Sequence, residues 1–198
     1  MLQTTIEAIE RGGEASVRVR EVAAAAGVSF PSLYHFFGSR EGLIEEALAE
    51  IYVRSVREFT EGASRRISRC DSAGDFRVAI EELAAAVYNP SRTVHRLTRA
   101  GVLGGASGRP RLAARIAAVQ DEANRALADV IREPQQHGWV RPELDLVTFA
   151  AWLTGITLGR VLIELDPSTT DGAAWNKMSI DAIIAVCMGD QASPAQGD

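Results

Sequence analysis

The chain has 198 residues, 46% of them hydrophobic and 24% charged, a globular composition that excludes a disordered chain and leaves room for one large or two small domains. Its two cysteines, Cys70 and Cys187, stand far apart without histidine clusters, which argues against a disulfide scaffold or a zinc site and fits a reducing cytoplasm. The net charge of −5 gives no support to nucleic-acid binding by bulk attraction.

The charge is unevenly spread. Residues 1–53 hold 4 Arg against 8 Glu, residues 54–132 hold 14 Arg against 9 acids, and residues 133–198 hold 3 basic against 9 acidic residues. No basic-plus-apolar signal segment opens the chain, and the longest apolar run, 149–159, is too short to span a bilayer. A soluble cytoplasmic protein with no membrane partner is expected.

Strand signals are nearly absent, and helical periodicity recurs between Gly, Pro and Ser clusters. The fold class is all-α, with about nine helices. Leu2, Ile6 and Ile9 mark a first helix that ends near residues 11–13, and Val19, Val22, Ala23 and Ala26 form the apolar face of a second, stopped by Gly27. Residues 30–36 form a third and 40–62 a longer fourth. Helices at 75–88 and 92–103 follow, and a Gly-rich break at 104–110 precedes one at 110–132. Residues 134–145 read as a connector, and the last two helices run over 145–165 and 173–188. Residues 1–48 thus make a small helical module, joined by the fourth helix to a larger helical domain over 49–190, with a frayed tail at 191–198.

One stretch, "AGVSFPSLYHFFGSREGL" at 26–43, carries most of the information. Gly27 can take the left-handed conformation that ends a helix, and Ser29 can cap the next. Val28 and Leu33 have hydrophobic-staple spacing; Gly38 ends the third helix, Ser39 can cap the fourth, and Glu41 complements its positive end. Helix, short turn, helix is the layout of a helix-turn-helix, but an αα corner in a bundle would use the same caps. The turn alone leaves both readings open.

The longer stretch "VREVAAAAGVSFPSLYHFFGSREGL" resembles the DNA-binding module of the tetracycline-repressor (TetR) family, whose pattern runs roughly V-R-x-I-A-x-x-A-G-V-S-x-x-x-L-Y-x-H-F-x-S-K-E-x-L. The likeness covers residues 2–50 in detail and includes Val19, Arg20, Ala23, Ala26, Gly27, Val28, Ser29, Leu33, Tyr34, Phe37, Ser39, Glu41 and Leu43. It implies that residues 29–35 form a recognition helix in the major groove. Ser29, Phe30, Pro31, Ser32 and His35 would face DNA, while Leu33 and Phe37 pack inward. Tyr34 and Arg40 would contact phosphates, which position a protein, and base edges would be read by Phe30 against a thymine methyl and by Ser32 or His35 through hydrogen bonds. Solvation of His35 and packing of Phe30 on the first helix are the plain alternatives.

Two departures stand out. Phe30 and Pro31 replace a frequent Lys or Arg and a small residue, and Pro31 is tolerated because first-turn N–H groups are free. Met1 and Leu2 already align with the first helix, so the basic arm many such proteins carry is expected to be missing, with weaker phosphate contact. Arg20, with Arg18, would partly compensate.

No enzymatic constellation is evident: His35, His95 and His137 are scattered, and the Gly-rich 101–109 segment lacks a phosphate-loop ending. No enzyme activity, metal or cofactor is expected. Ala151, Gly155 and Gly159 fall at i, i+4, i+8, a stripe permitting close helix approach, with Trp152, Leu158 and Ile163 beside it. Burial within one subunit explains such a stripe as well as dimerisation does. By the resemblance, the last two helices would build a homodimer, and helices five to eight would enclose a small-molecule effector pocket, with Tyr88, His95, Arg99, Phe149 and Trp152 as candidate lining. The expected function is a ligand-responsive regulator, a repressor, that binds a near-palindromic double-stranded DNA operator as a dimer and is released by an effector. The alternative is a helical sensor or interaction protein with weak or lost DNA binding.

Overall fold

The computed structural model describes residues 1–166, 168 and 170–189, so the expected tail at 191–198 lies outside the described residues. Among those residues every regular element is helical: α1 (Leu2–Gly12), α2 (Val19–Ala25), α3 (Phe30–Phe37), α4 (Arg40–Ile67), α5 (Ala73–Tyr88), α6 (Thr93–Ala106), α7 (Pro110–Gln136), α8 (Leu146–Gly159), α9 (Val161–Glu164) and α10 (Gly172–Met188), with short 3-10 turns at Glu14–Ser16 and Pro90–Arg92. The α9 segment is a single turn continuing α8 past Arg160, so nine described helices are longer than one turn, as expected.

Two compact units divide the chain. Unit 1 takes in Met1–Ser55 and Gly101–Val119, and unit 2 takes in Val56–Ala100 and the chain from Gln120 onward. In unit 1, α2 and α3 have only 7 and 8 residues, too short to hold alone. They are fixed by burial of Ile6 and Ile9 on α1, Val22 and Ala23 on α2, Leu33 on α3, and Leu43 and Leu48 on α4. Each such apolar side chain contributes about 1.5–3 kcal/mol relative to exposure.

In unit 2, Phe76, Ile80 and Tyr88 of α5 join Leu127 and Ile131 of α7, Phe149 of α8, and Ile183 and Cys187 of α10 in one core, with α5 packed on α10. One polar pair is set into this unit. Arg96 and Glu164 form an ion pair with side chains only 6% and 5% exposed. The Arg96 guanidinium also donates to the Val87 and Asn89 carbonyls, and Thr93 Oγ1 donates to Glu164 Oε1 at 3.0 Å. Burial works to raise the Glu164 pKa, but the hydrogen bonds from Arg96 and Thr93 outweigh it and hold the carboxyl below its usual value.

Several boundaries differ from the sequence expectation. Helix α4 runs to Ile67 rather than 62, and α6 absorbs Gly104–Ala106 from the expected break. Helix α7 runs through Pro134 to Gln136, taking the start of the expected connector. The proline ring already has a helical φ, and near the helix end it removes only one backbone bond. The Pro134 carbonyl still accepts from Trp139 N at 2.9 Å. The apolar run 149–159 lies inside a longer helical stretch. Leu146–Glu164 makes a 19-residue helical stretch of mean hydropathy 1.7, enough by length and composition to cross a membrane. It carries Arg160 and ends at the buried Glu164.

Candidate nucleic-acid interface and ligand cavity

The turn between α2 and α3 is built by backbone bonds that glycine makes possible. Gly27 has φ +66°, its N–H donates to Ala24 O, and Val28 N–H donates to Ala23 O, which is a Schellman closure of α2. Ser29 Oγ then accepts from Ser32 N at 3.2 Å and caps α3, with Pro31 in the first turn. Ser39 Oγ accepts from Gly42 N at 2.9 Å and starts α4. Gly42 is sterically required, because a Cβ there would lie 2.1 Å from Phe37 O.

This geometry presents a defined face. Leu33 is fully buried, whereas Phe30 is 43% and Phe36 70% exposed. Pro31, His35 and the capping Ser29 are exposed, as is Arg20 on α2; Ser32 and Tyr34 are half-buried. The Phe30 ring lies 4.7 Å from that of Tyr34, and Phe36 meets His35 edge-on at 5.8 Å. No Lys or Arg lies on α3, so its exposed surface is aromatic and hydroxylic rather than cationic.

Arg40 is already engaged. Its Nη2 donates to Glu14 O at 2.7 Å and its Nε to Val17 O at 3.3 Å, tying the start of α4 to the α1–α2 connection. The carboxylate of the same Glu14 receives two bonds from Arg109, at 3.0 and 2.6 Å. The hydrogen bond from Arg109 lowers the Glu14 pKa against the opposing effect of burial. Glu14 is therefore a joint gripped through its carbonyl by one arginine and through its side chain by another.

Unit 2 contains an apolar cavity of about 70 Å³. Its wall draws Phe59 and Ala63 from α4, Phe76, Ala84 and Tyr88 from α5, Leu127 and Ile131 from α7, Phe149, Leu153 and Thr157 from α8, and Ile183 and Cys187 from α10. Burial pushes the Tyr88 phenol pKa up, partly offset by its hydrogen bond with Ser179, and pushes the Cys187 thiol up to about 12. Thr157 Oγ1 donates to Leu153 O at 2.9 Å.

Residues 1–47 match the family model for bacterial regulatory proteins of the tetR family. The nucleoid occlusion factor SlmA of Marinomonas sp. (strain MWYL1) is 28% identical over 165 residues, covering 81% of this chain and 79% of that protein. The HTH-type transcriptional regulator BetI 1 of Chromohalobacter salexigens is 37% identical over 51 residues, a match that spans 26% of this chain and only 25% of BetI 1. A crystal structure described as a TetR-family transcriptional regulator from Rhodococcus sp. superposes with a TM-score of 0.66 at 26% identity, covering 93% of this chain and 95% of the other.

Residues 1–47 thus carry the N-terminal module of the tetR family, and the chain as a whole is similar in fold to TetR-family regulators. These similarities support a coarse function, that of a DNA-binding transcriptional regulator.

The residues singled out for an effector pocket fall into two groups. Tyr88 and Phe149 line the cavity. Trp152 is 37% exposed and stacks on Phe149 at 5.9 Å without lining the cavity, His95 is exposed, and Arg99 donates to Gln120 Oε1 at 3.1 Å. The small-residue stripe also divides. Ala151 and Gly155 are exposed and Leu158 is half-buried, whereas at Gly159 a Cβ would sit 3.6 Å from the Trp175 ring of α10. Sequence reasoning passed over Phe36, although the resembled pattern has His at that position and the departure was visible. It also passed over the Glu14 and Arg96 ion pairs, which join residues 95 and 68 positions apart.

Proposed function

We propose that this protein is a homodimeric, ligand-responsive repressor that reads a near-palindromic operator and leaves it when a small molecule occupies the unit 2 cavity. Residues 1–48 are the reading domain, and residues 49–190 bind the effector and the second subunit. The observation that carries the reading is the exposed, uncharged face of α3 on a tightly capped helix. In the groove, Phe30 meets a thymine methyl, Ser32 and His35 meet base edges, and Tyr34 and Arg20 hold phosphates. Arg40 gives Nη2 and Nε to Glu14 and Val17, and its Nη1, 3.7 Å from Glu41 Oε1, is its phosphate donor.

Dimerisation is supported by the exposed apolar side chains of α8, α9 and α10, Val147, Trp152, Leu162 and Met178, and by Leu165 just past α9. Two-fold association also matches two-fold DNA sites, whose half-sites lie about one turn, roughly 34–36 Å, or a multiple apart. Proteins of this fold have been solved with choline and with stearoyl-CoA, which supports a ligand-binding role for the helical domain. The ligand acts only through a difference in its affinity for the DNA-competent and released states.

Fluorescence anisotropy on random duplex at low salt tests the DNA-binding half of the proposal. Micromolar binding that weakens with added salt is expected, with a shallow slope because few cations reach phosphate. An intact dimer that leaves the duplex unbound would favour the sensor or interaction protein instead.

A further inference from the structure

The wall of the unit 2 cavity constrains what can enter it. Of its lining side chains only Tyr88, Thr157 and Cys187 carry a polar atom, and none is a Lys, Arg, His, Asp or Glu. The first two are already engaged, Tyr88 with Ser179 and Thr157 with the Leu153 carbonyl. The third is a thiol held protonated, its pKa pushed up to about 12 by burial. Nearby cations are committed elsewhere: Arg96 to Glu164, and Arg160 Nε to Asn176 Oδ1 at 3.0 Å. A charged ligand would lose its hydration without gaining a partner.

Volume adds a second constraint. The cavity holds about 70 Å³, roughly half of the 150 Å³ apolar cavity that accommodates benzene. A ligand the size of an aromatic ring therefore enters only if the surrounding helices give way.

We propose that the cavity selects an uncharged, largely hydrocarbon molecule, larger than the resting space, whose entry displaces its walls. This rests on the reading of the cavity as the effector site and names the chemical class that site takes. The arginine-rich middle of the sequence does not make it an anion site, because those arginines do not line it.

Three probes of one shape separate the possibilities: toluene, benzoate and benzylammonium, each added to the full chain during thermal unfolding followed by circular dichroism. Toluene at about ten times its Kd is expected to raise Tm by about 3–5 °C, and the two charged probes to raise it by less than about 1 °C. Ala84→Phe fills the cavity and should abolish the toluene shift. Leu153→Phe does the same with less strain and serves if Ala84→Phe does not fold. The proposal is overturned if a charged probe stabilises as much as toluene, if toluene gives no shift, or if its shift survives in a folded filled variant. Duplex binding is read separately. A toluene shift without any change in DNA affinity would keep the ligand class and remove the regulatory reading. DNA release by a charged compound, with no toluene shift, would keep the regulatory reading and remove the ligand class.

Discussion

Helix α3 and the wall of the unit 2 cavity use the same residue type in opposite ways. On α3, Phe30 and Phe36 are 43% and 70% exposed, while in unit 2 Phe76, Tyr88 and Phe149 are at most 4% exposed. Burying an aromatic side chain stabilises a fold by about 1.5–3 kcal/mol, so the α3 rings forgo energy that the unit 2 rings collect. Under the proposed function, the outward rings of α3 meet DNA and the inward rings of unit 2 meet the effector. An outward aromatic face waits for a surface to cover it, and an inward aromatic shell leaves a space to be filled.

Truncation should separate the two sets most sharply. Phe76→Ala is expected to cost about 3–5 kcal/mol in urea unfolding, whereas Phe36→Ala should change stability by less than about 0.5 kcal/mol. Similar losses from both would erase the contrast.

Breaking the buried pair of unit 2 comes next. Glu164→Ala leaves Arg96 buried without its carboxylate and should cost about 3–5 kcal/mol. The pH dependence follows from the lowered pKa of Glu164. Its contribution is complete above the unfolded carboxyl pKa and is lost as pH falls through the folded value, so acid titration of stability should be steeper in the native protein than in Glu164→Gln.

On DNA the ranking of the aromatics reverses. Phe30→Ala and Phe36→Ala should each weaken operator binding by about 1–2 kcal/mol, and replacing thymine by uracil in the operator should weaken the parent protein but not the double variant. Anisotropy titrations on the two duplexes decide this; equal affinity of the parent protein for both would remove methyl reading. A small effect also belongs to the unit 1 joint. Arg109→Ala should cost under about 1 kcal/mol, since Arg109 and Glu14 remain 29% and 38% exposed.

The capped turn was legible in the sequence because it is decided locally. Gly27 and Ser29 each act on backbone groups within a few residues, and family resemblance extended that reading along α1 to α4. The partners of Arg40 were not legible. Nothing local announces that its guanidinium reaches the Glu14 and Val17 carbonyls, more than twenty positions away. The same holds for Arg96 with Glu164. Of the five pocket candidates that the family resemblance suggested, Tyr88 and Phe149 line the cavity. The rotation of α6 and α8 about their own axes, which leaves His95 and Trp152 outside, is set by packing that one sequence does not display. Pro134 was read as a helix stop because prolines usually are, and the end of α7 tolerates it.

The central claim is that paired α3 helices of a dimer read a two-fold DNA site. Footprinting on duplex selected from a randomised pool, at a measured protein stoichiometry, tests it most directly. The account predicts two symmetry-related protected half-sites, one turn or a multiple apart, occupied together by two chains. Protection of a single half-site by one chain would contradict it.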